Sequence, residues 1–411
     1  MPKSLRNLLS TIASGDWLVP ERIFAYSAIL LGFELLAFVY LVAATHGWLY
    51  QLKQPVSADF VSFYAAGRLA LAGSPAAAYV QHLHYAAEQQ ATPGVSYALF
   101  FYPPVFILLC APFALLPYSV SLIAFETATL AACLAALVGI VRRPDDRRKW
   151  ALLLPLLAFP PMLINFGVGQ NGFLTAALFG GATLLIDRRP GLAGILFGAL
   201  CYKPHFGLLV PLALAAGGRW RAFAAAAITV TALVALSALL FGWETWRGFA
   251  AAFLGSRANY ESGQIDFGGF VSVFGALRLL GAGSAPAYAV QAAVSLGAAV
   301  LVAKVWRGEF SLPTRAATLA AATLAAVPLA LYYDLVLGGI AIAWLVRAGR
   351  ARGFFRWEKS LLLLIYAAPI LVRSLAASFR WPIGALIPLI LLCLCAVQAR
   401  LERRHGAPSG I

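Results

Sequence analysis

Charge is scarce in this chain: Asp, Glu, Lys and Arg make up 11% of its 411 residues, against 62% hydrophobic residues and a mean hydropathy of +0.82. So little polar surface cannot cover a soluble globule of this length, and lipid becomes the solvent for most of the chain. Acidic residues are scarcer than basic ones, 16 against 31, for a net charge of +15. Such a balance suits a nucleic-acid reader only where the cations cluster on a soluble module. Here Lys and Arg stand in short runs between apolar segments, which excludes nucleic acid as a partner and marks membrane orientation. The five cysteines, Cys110, Cys133, Cys201, Cys393 and Cys395, lie in apolar stretches with no Cys-x-x-Cys spacing, so neither a disulfide framework nor a zinc site is expected. No Gly-rich phosphate loop, Asp-x-Asp pair or hydrolase elbow occurs either, and neither a metal nor a cofactor is implied.

What the chain has is long apolar runs, at about 23–44, 119–141, 150–166, 172–186, 191–203, 204–216, 221–241, 285–306, 315–331, 335–347, 360–375 and 382–399. They predict an all-α polytopic membrane protein, a single integral membrane domain over 1–411 with about twelve crossings. The first run is too long for a signal-peptide core and reads as an uncleaved span. With both termini cytoplasmic, 23 of the 31 Lys and Arg fall on the cytoplasmic side, as the positive-inside rule requires. Tyr102 to Pro117 is apolar too, but counting it as a span would move the basic 142–149 segment outside. Its prolines 103, 104, 112 and 117 suit a short juxtamembrane or re-entrant helix. The expected location is the inner (plasma) membrane, with a first outer loop at about 45–118 and a second at 242–284. The 191–203 and 204–216 arms reach only about 20 Å each at about 1.5 Å per residue, so their apex should lie below the outer surface in a protein-lined or water-filled cavity.

Chemistry is sought around those outer loops. Phe60, Phe63, Tyr64, Gly67 and Leu71 recur at helical spacing after Asp59, and Gly73 with Pro75 ends the pattern, predicting an amphipathic interfacial helix. Asp59 at its start can be an N-cap, a general base at the membrane surface, or both. A phosphate that departs as a leaving group builds negative charge that needs fixed cations. Lys203, at the apex of the short hairpin in Tyr202-Lys203-Pro204-His205, is the first candidate, with Arg68, Arg257 and Arg373 as further phosphate ligands. Tyr64, Tyr102, Gln170, Asn171, His205, Tyr333 and Asp334 are the candidate substrate contacts, Gln170 and Asn171 because an amide offers sugar-type hydrogen bonds. Glu34 and Glu126 fall inside predicted spans, and His82-x-His84 reads as two solvated loop histidines.

The ordered set Asp59-Phe-x-x-Phe-Tyr64-x-Ala-Gly67, Leu71-x-Gly73, Tyr79, Tyr102-Pro103-Pro104, Leu116-Pro117, Gly169-Gln170-Asn171 and Gly194-x3-Gly198-x4-Lys203-Pro204 resembles glycosyltransferase family 87, which includes polyprenol-phosphate-mannose-dependent α-mannosyltransferases. The resemblance runs from about residue 55 to 280. It implies a C-type glycosyltransferase fold with outer-side juxtamembrane helices, a catalytic Asp in the first outer loop matched by Asp59, a polyprenyl-phosphate sugar donor and inversion at the anomeric carbon. The chain departs from the mannosyltransferase branch at Tyr332-Tyr333-Asp334, where that branch carries a His-containing motif. The expected activity is transfer of a hexose, mannose first, to a lipid-linked or envelope glycan on the extracytoplasmic side, with membrane lipids around it. The competing expectation is a polytopic transporter or lipid-linked-sugar flippase, disfavoured because the two halves show no matching pair of broken helices.

Overall fold

The computed structural model describes residues 3–44, 48–49, 54–55, 59–142, 150–261 and 265–405. The described chain is all-helical apart from one two-residue antiparallel pair, Trp48–Leu49 against Gln54–Pro55. Six helices are long and apolar enough to cross a bilayer: Pro20–Tyr40, Tyr118–Val141, Trp220–Phe241, Ser284–Arg307, Glu358–Phe379 and Ile383–Arg404. They coincide with six of the twelve apolar runs, and the chain is a multi-pass membrane protein. The other six runs fold shorter. The 150–166 run breaks into Trp150–Leu157 and Pro160–Val168, where Pro160 and Pro161 cannot continue the preceding helix but fit the first turn of the next. Gly172–Leu185, Pro190–Ala199, Val210–Ala216, Leu312–Ala326 and Val336–Arg352 are likewise too short to count as spans by length.

Shortness and centrality go together. Leu312–Ala326 is apolar on all sides, with every residue from Pro313 to Ala326 buried except Arg315, which is the pattern of a helix surrounded by others. Its alanines let neighbouring backbones approach closely, the packing mode available where lipid removes the hydrophobic drive. Trp220–Phe241, by contrast, buries only Ala222 and Ser237 and exposes Leu239 and Leu240. The short hairpin is seated against that outer helix through Gly194 and Gly198. A Cβ on either would stand 2.3 Å from the Ala222 carbonyl oxygen or 2.7 Å from that of Ala226, so this spacing of small residues is a close backbone contact.

A second, aromatic core positions the Asp59–Leu71 helix. Phe60 and Phe63 pack with Phe106 of the Pro104–Phe113 helix and Phe125 of the Tyr118–Val141 helix, and Phe106 stacks on Tyr202 at 5.0 Å. The packing leaves a void of only about 10 Å³ among these rings. The structure corrects the interfacial reading of this helix: Phe60 to Phe63 and Ala65 to Gly67 are buried on several faces, and only Arg68 and Leu71 are exposed. The cause is the turn Pro75–Tyr79 and the helix Gln81–Ala91, which fold back over the side expected to face solvent. His84 in that covering helix is fully buried rather than solvated, with Nε2 3.2 Å from both Ser62 Oγ and Glu88 Oε1.

Candidate active site

The site begins at a turn. Gly169, in the left-handed region at φ 74°, closes the Pro160–Val168 helix and donates its N–H to the Asn165 carbonyl. Asn165, wholly buried, clamps the backbone on the far side of that turn: its Nδ2 donates to the Gln170 carbonyl at 2.8 Å and its Oδ1 accepts from the Gly172 N–H at 2.9 Å. The fixed backbone aims two neighbouring amides in different directions. Gln170 Nε2 donates to Asp59 Oδ2 at 2.8 Å, while Gln170 Oε1 accepts from the Tyr102 hydroxyl at 3.3 Å and the Asn171 N–H at 3.2 Å. Asn171 Oδ1 accepts from Lys203 Nζ at 3.1 Å.

Lys203 continues the chain to the far carboxylate. Its ammonium pairs with Asp334 Oδ1 at 2.6 Å, both side chains being almost wholly buried, and lies over the rings of Phe206 and Tyr333. Asp334 Oδ2 accepts from the Leu331 N–H, which locks the 3-10 turn Tyr332–Leu335. Buried ions of either sign are costly alone, so this pair explains how the hairpin apex tolerates a lysine below the surface. Tyr79 anchors the other side, its hydroxyl donating to the Tyr102 carbonyl at 2.7 Å.

One continuous polar chain therefore runs Asp59, Gln170, Asn171, Lys203, Asp334 through an otherwise apolar body, with Tyr102 and Tyr333 beside it. Burial pushes the Asp59 carboxyl up to about 6; the Gln170 hydrogen bond opposes this, Glu88 reinforces it, and Lys203 opposes it from further off. Burial, and then the Asp334 carboxylate, hold the Tyr102 and Tyr333 hydroxyls well above the usual phenol range, so both remain neutral donors. A carboxyl poised near neutrality and held by one neutral amide donor suits proton abstraction from a hydroxyl.

The sequence profile of glycosyltransferase family 87 matches residues 100–331, more than half of the chain. The chain belongs to glycosyltransferase family 87. No curated protein and no solved structure matches it. Within the family 87 segment lie Tyr102, Gln170, Asn171 and Lys203; Asp59, Tyr333 and Asp334 stand outside it and are joined to it only by the contacts above.

The remaining candidates scatter. Arg373 pairs with Asp266 at 3.0 Å and lies over Tyr332 at 5.2 Å, next to the chain. Arg68 is exposed nine residues along the helix from Asp59, roughly 13 Å along its axis, and stands apart from it. Arg257 is on the helix Trp243–Glu261, but its side chain is outside the described residues. The Tyr64 hydroxyl donates to the Leu116 carbonyl, and His205 is exposed against the Phe206 ring. Glu34 and Glu126 are buried with no hydrogen-bond partner among the described residues, apart from this chain. Asn165, Thr175, Tyr202 and Asp266 are the residues that sequence reasoning missed. Tyr202 meets Thr175 Oγ1 at 2.6 Å and supports the turn from below. A lone Asn inside the apolar Met162-Leu-Ile-Asn165-Phe run was a usable signal, since a buried amide needs partners.

Proposed function

We propose that this family 87 glycosyltransferase moves a hexose, mannose first, from a polyprenyl-phosphate carrier to a hydroxyl of a lipid-linked or envelope glycan on the extracytoplasmic face of the plasma membrane, both termini being cytoplasmic. Asp59 is the base. Its carboxylate takes the proton of the acceptor hydroxyl as that oxygen bonds to the anomeric carbon; the bond from that carbon to the carrier phosphate breaks, and polyprenyl phosphate leaves. Attack opposite the leaving group inverts the anomeric configuration. The observation that carries this reading is the Gln170 hydrogen bond to Asp59, which leaves one carboxylate oxygen free of that amide and fixes its direction.

Charge building on the departing phosphate calls for cations near Asp59. Arg373 is the best placed, because it is partly exposed and its partner Asp266 is a solvent-facing carboxylate that a phosphate can displace. Lys203 acts from within: it neutralises Asp334 and orients Asn171, adding positive potential below the reacting atoms. Gln170, Asn171, Tyr102 and Tyr333 supply hydrogen bonds to the sugar; Arg68, Arg257, Tyr64 and His205 are left for the carrier or the acceptor at the rim.

The test is purified protein offered a panel of radiolabelled polyprenyl-phosphate sugars, with Asp59→Asn alongside. Transfer by the wild type, and at most about a hundredth of it by the variant, is expected. Transfer that requires a nucleotide sugar, or movement of lipid-linked sugar across a proteoliposome without transfer, would overturn the proposal.

A further inference from the structure

At the opposite end of helix Ser284–Arg307 from its N-terminal Pro286, Lys304 and Arg307 occupy the last turn and line an open cleft of about 390 Å³. Ala303 of the same helix and Ala215 and Ala216 of the facing helix Val210–Ala216 complete its walls, and these small side chains are why the cleft exists. Both cations are exposed, and neither has a carboxylate partner among the described residues. Their neighbours are different: Arg219 and Arg315 converge on Asp187 at 2.5 and 3.0 Å. The fold has thus matched the nearby arginines to an acid and left this pair open.

The walls change character along their length. One and two turns before Lys304 stand Val300 and Leu296; one turn before Ala216 stands Leu212, and Leu208 lies in the turn that leads into that helix, all four exposed. Side chains four apart share a helix face, so Leu296 and Val300 form an apolar stripe that ends at Lys304, and Leu212 stands one turn from Ala216 on the facing helix. A molecule that fills both parts carries hydrocarbon at one end and negative charge at the other. Snorkelling into the headgroup layer would account for either cation alone but not for a cleft of ligand size between them.

We propose that this cleft binds the headgroup phosphate of an anionic glycerophospholipid, its acyl chains lying along the Leu296–Val300 stripe and the exposed Leu212 of the facing helix. Lys304 and Arg307 donate to the phosphate, a setting in which basic pockets between membrane helices hold acidic lipids. The site shares no residue with the Asp59 network and does not rest on the proposed transfer reaction.

The test uses the full-length protein in neutral detergent and follows its Tm during titration with phosphatidylglycerol, phosphatidylcholine or soluble glycerol 3-phosphate. A ligand that binds only the folded state raises the Tm with concentration. Phosphatidylglycerol is expected to raise it more than phosphatidylcholine, and glycerol 3-phosphate not at all. K304Q/R307Q should lose more than half of the phosphatidylglycerol shift, whereas R400Q/R404Q, with the same charge removed elsewhere, should keep it. Ala215→Trp fills the cleft while keeping both charges, and is expected to lose the shift as well. A full shift in both K304Q/R307Q and Ala215→Trp, or no preference for phosphatidylglycerol in the wild type, overturns the site. An equal shift with glycerol 3-phosphate overturns its assignment to lipid.

Discussion

Gln170 and Asp59 are 111 residues apart in the sequence and 2.8 Å apart in space, and the amide of the first sets the direction of the carboxylate of the second. Because Gln170 is itself held through its backbone by Asn165, the direction of the base depends on an amide that makes no hydrogen bond to it.

Asp59→Asn keeps the shape and the Gln170 contact but removes the proton acceptor. Turnover is expected to fall by about 10²–10⁴-fold, the usual worth of a positioned base. Donor binding, measured separately by retention of a radiolabelled polyprenyl-phosphate sugar, should persist; loss of binding together with turnover would point to a structural role.

The raised Asp59 carboxyl, at about 6, sets the pH dependence. As a base it works only when ionised, so kcat/KM is expected to fall as pH drops through about 6. Gln170→Leu removes a hydrogen bond that favours the charged form, and its acid limb should move to higher pH. Stability runs the other way. A carboxyl whose folded pKa is raised holds its proton more tightly in the native state, so its contribution is present below the ordinary carboxylate range and is lost as pH rises through about 6. Asp59→Asn should therefore raise the Tm at pH 7.5 relative to wild type; an unchanged Tm and acid limb would mean that the carboxyl is better hydrated than its packing suggests.

Lys203→Met leaves Asp334 as an uncompensated buried charge, at an expected cost of about 3–5 kcal/mol. The double replacement Lys203→Met with Asp334→Leu should recover much of that loss of thermal stability without recovering transfer. A double variant as unstable as the single would show that the Asn171 and Leu331 contacts, rather than the ion pair, hold the hairpin apex.

Gly67→Val tests how tightly the base helix is seated. A Cβ there would lie 2.5 Å from the Cys110 carbonyl oxygen, so the helix must move away from Pro104–Phe113. Overpacking of this kind costs about 1–3 kcal/mol, and the accompanying displacement of Asp59 should lower kcat more than it raises KM. Steady-state kinetics and the Tm of the same sample separate the two effects.

Much of the fold was legible in the sequence. Six apolar runs matched the six long helices because a bilayer demands about twenty apolar residues whatever else the protein does. The prolines of 102–117 pointed to a short helix, and Pro104–Phe113 is one, with Pro104 in its first turn, because proline's missing N–H and fixed φ are a local property. Asp59, Gln170, Asn171, Lys203 and Asp334 each stood out as polar groups at the ends of apolar segments.

Their pairing was not legible. Lys203 and Asp334 are 131 residues apart, and no period or composition in either segment says that one buried charge answers the other. His84 was expected to be a solvated loop histidine like His82; the packing of its helix over Ser62 buries it, while His82 stays exposed. The amino-acid sequence by itself determined which segments are apolar enough to enter lipid and which polar groups must find partners, since transfer free energies and backbone hydrogen bonding act locally. The tertiary structure alone decided which partners they found, because a 2.8 Å hydrogen bond between distant segments depends on how helices cross, and that depends on the packing of the whole core.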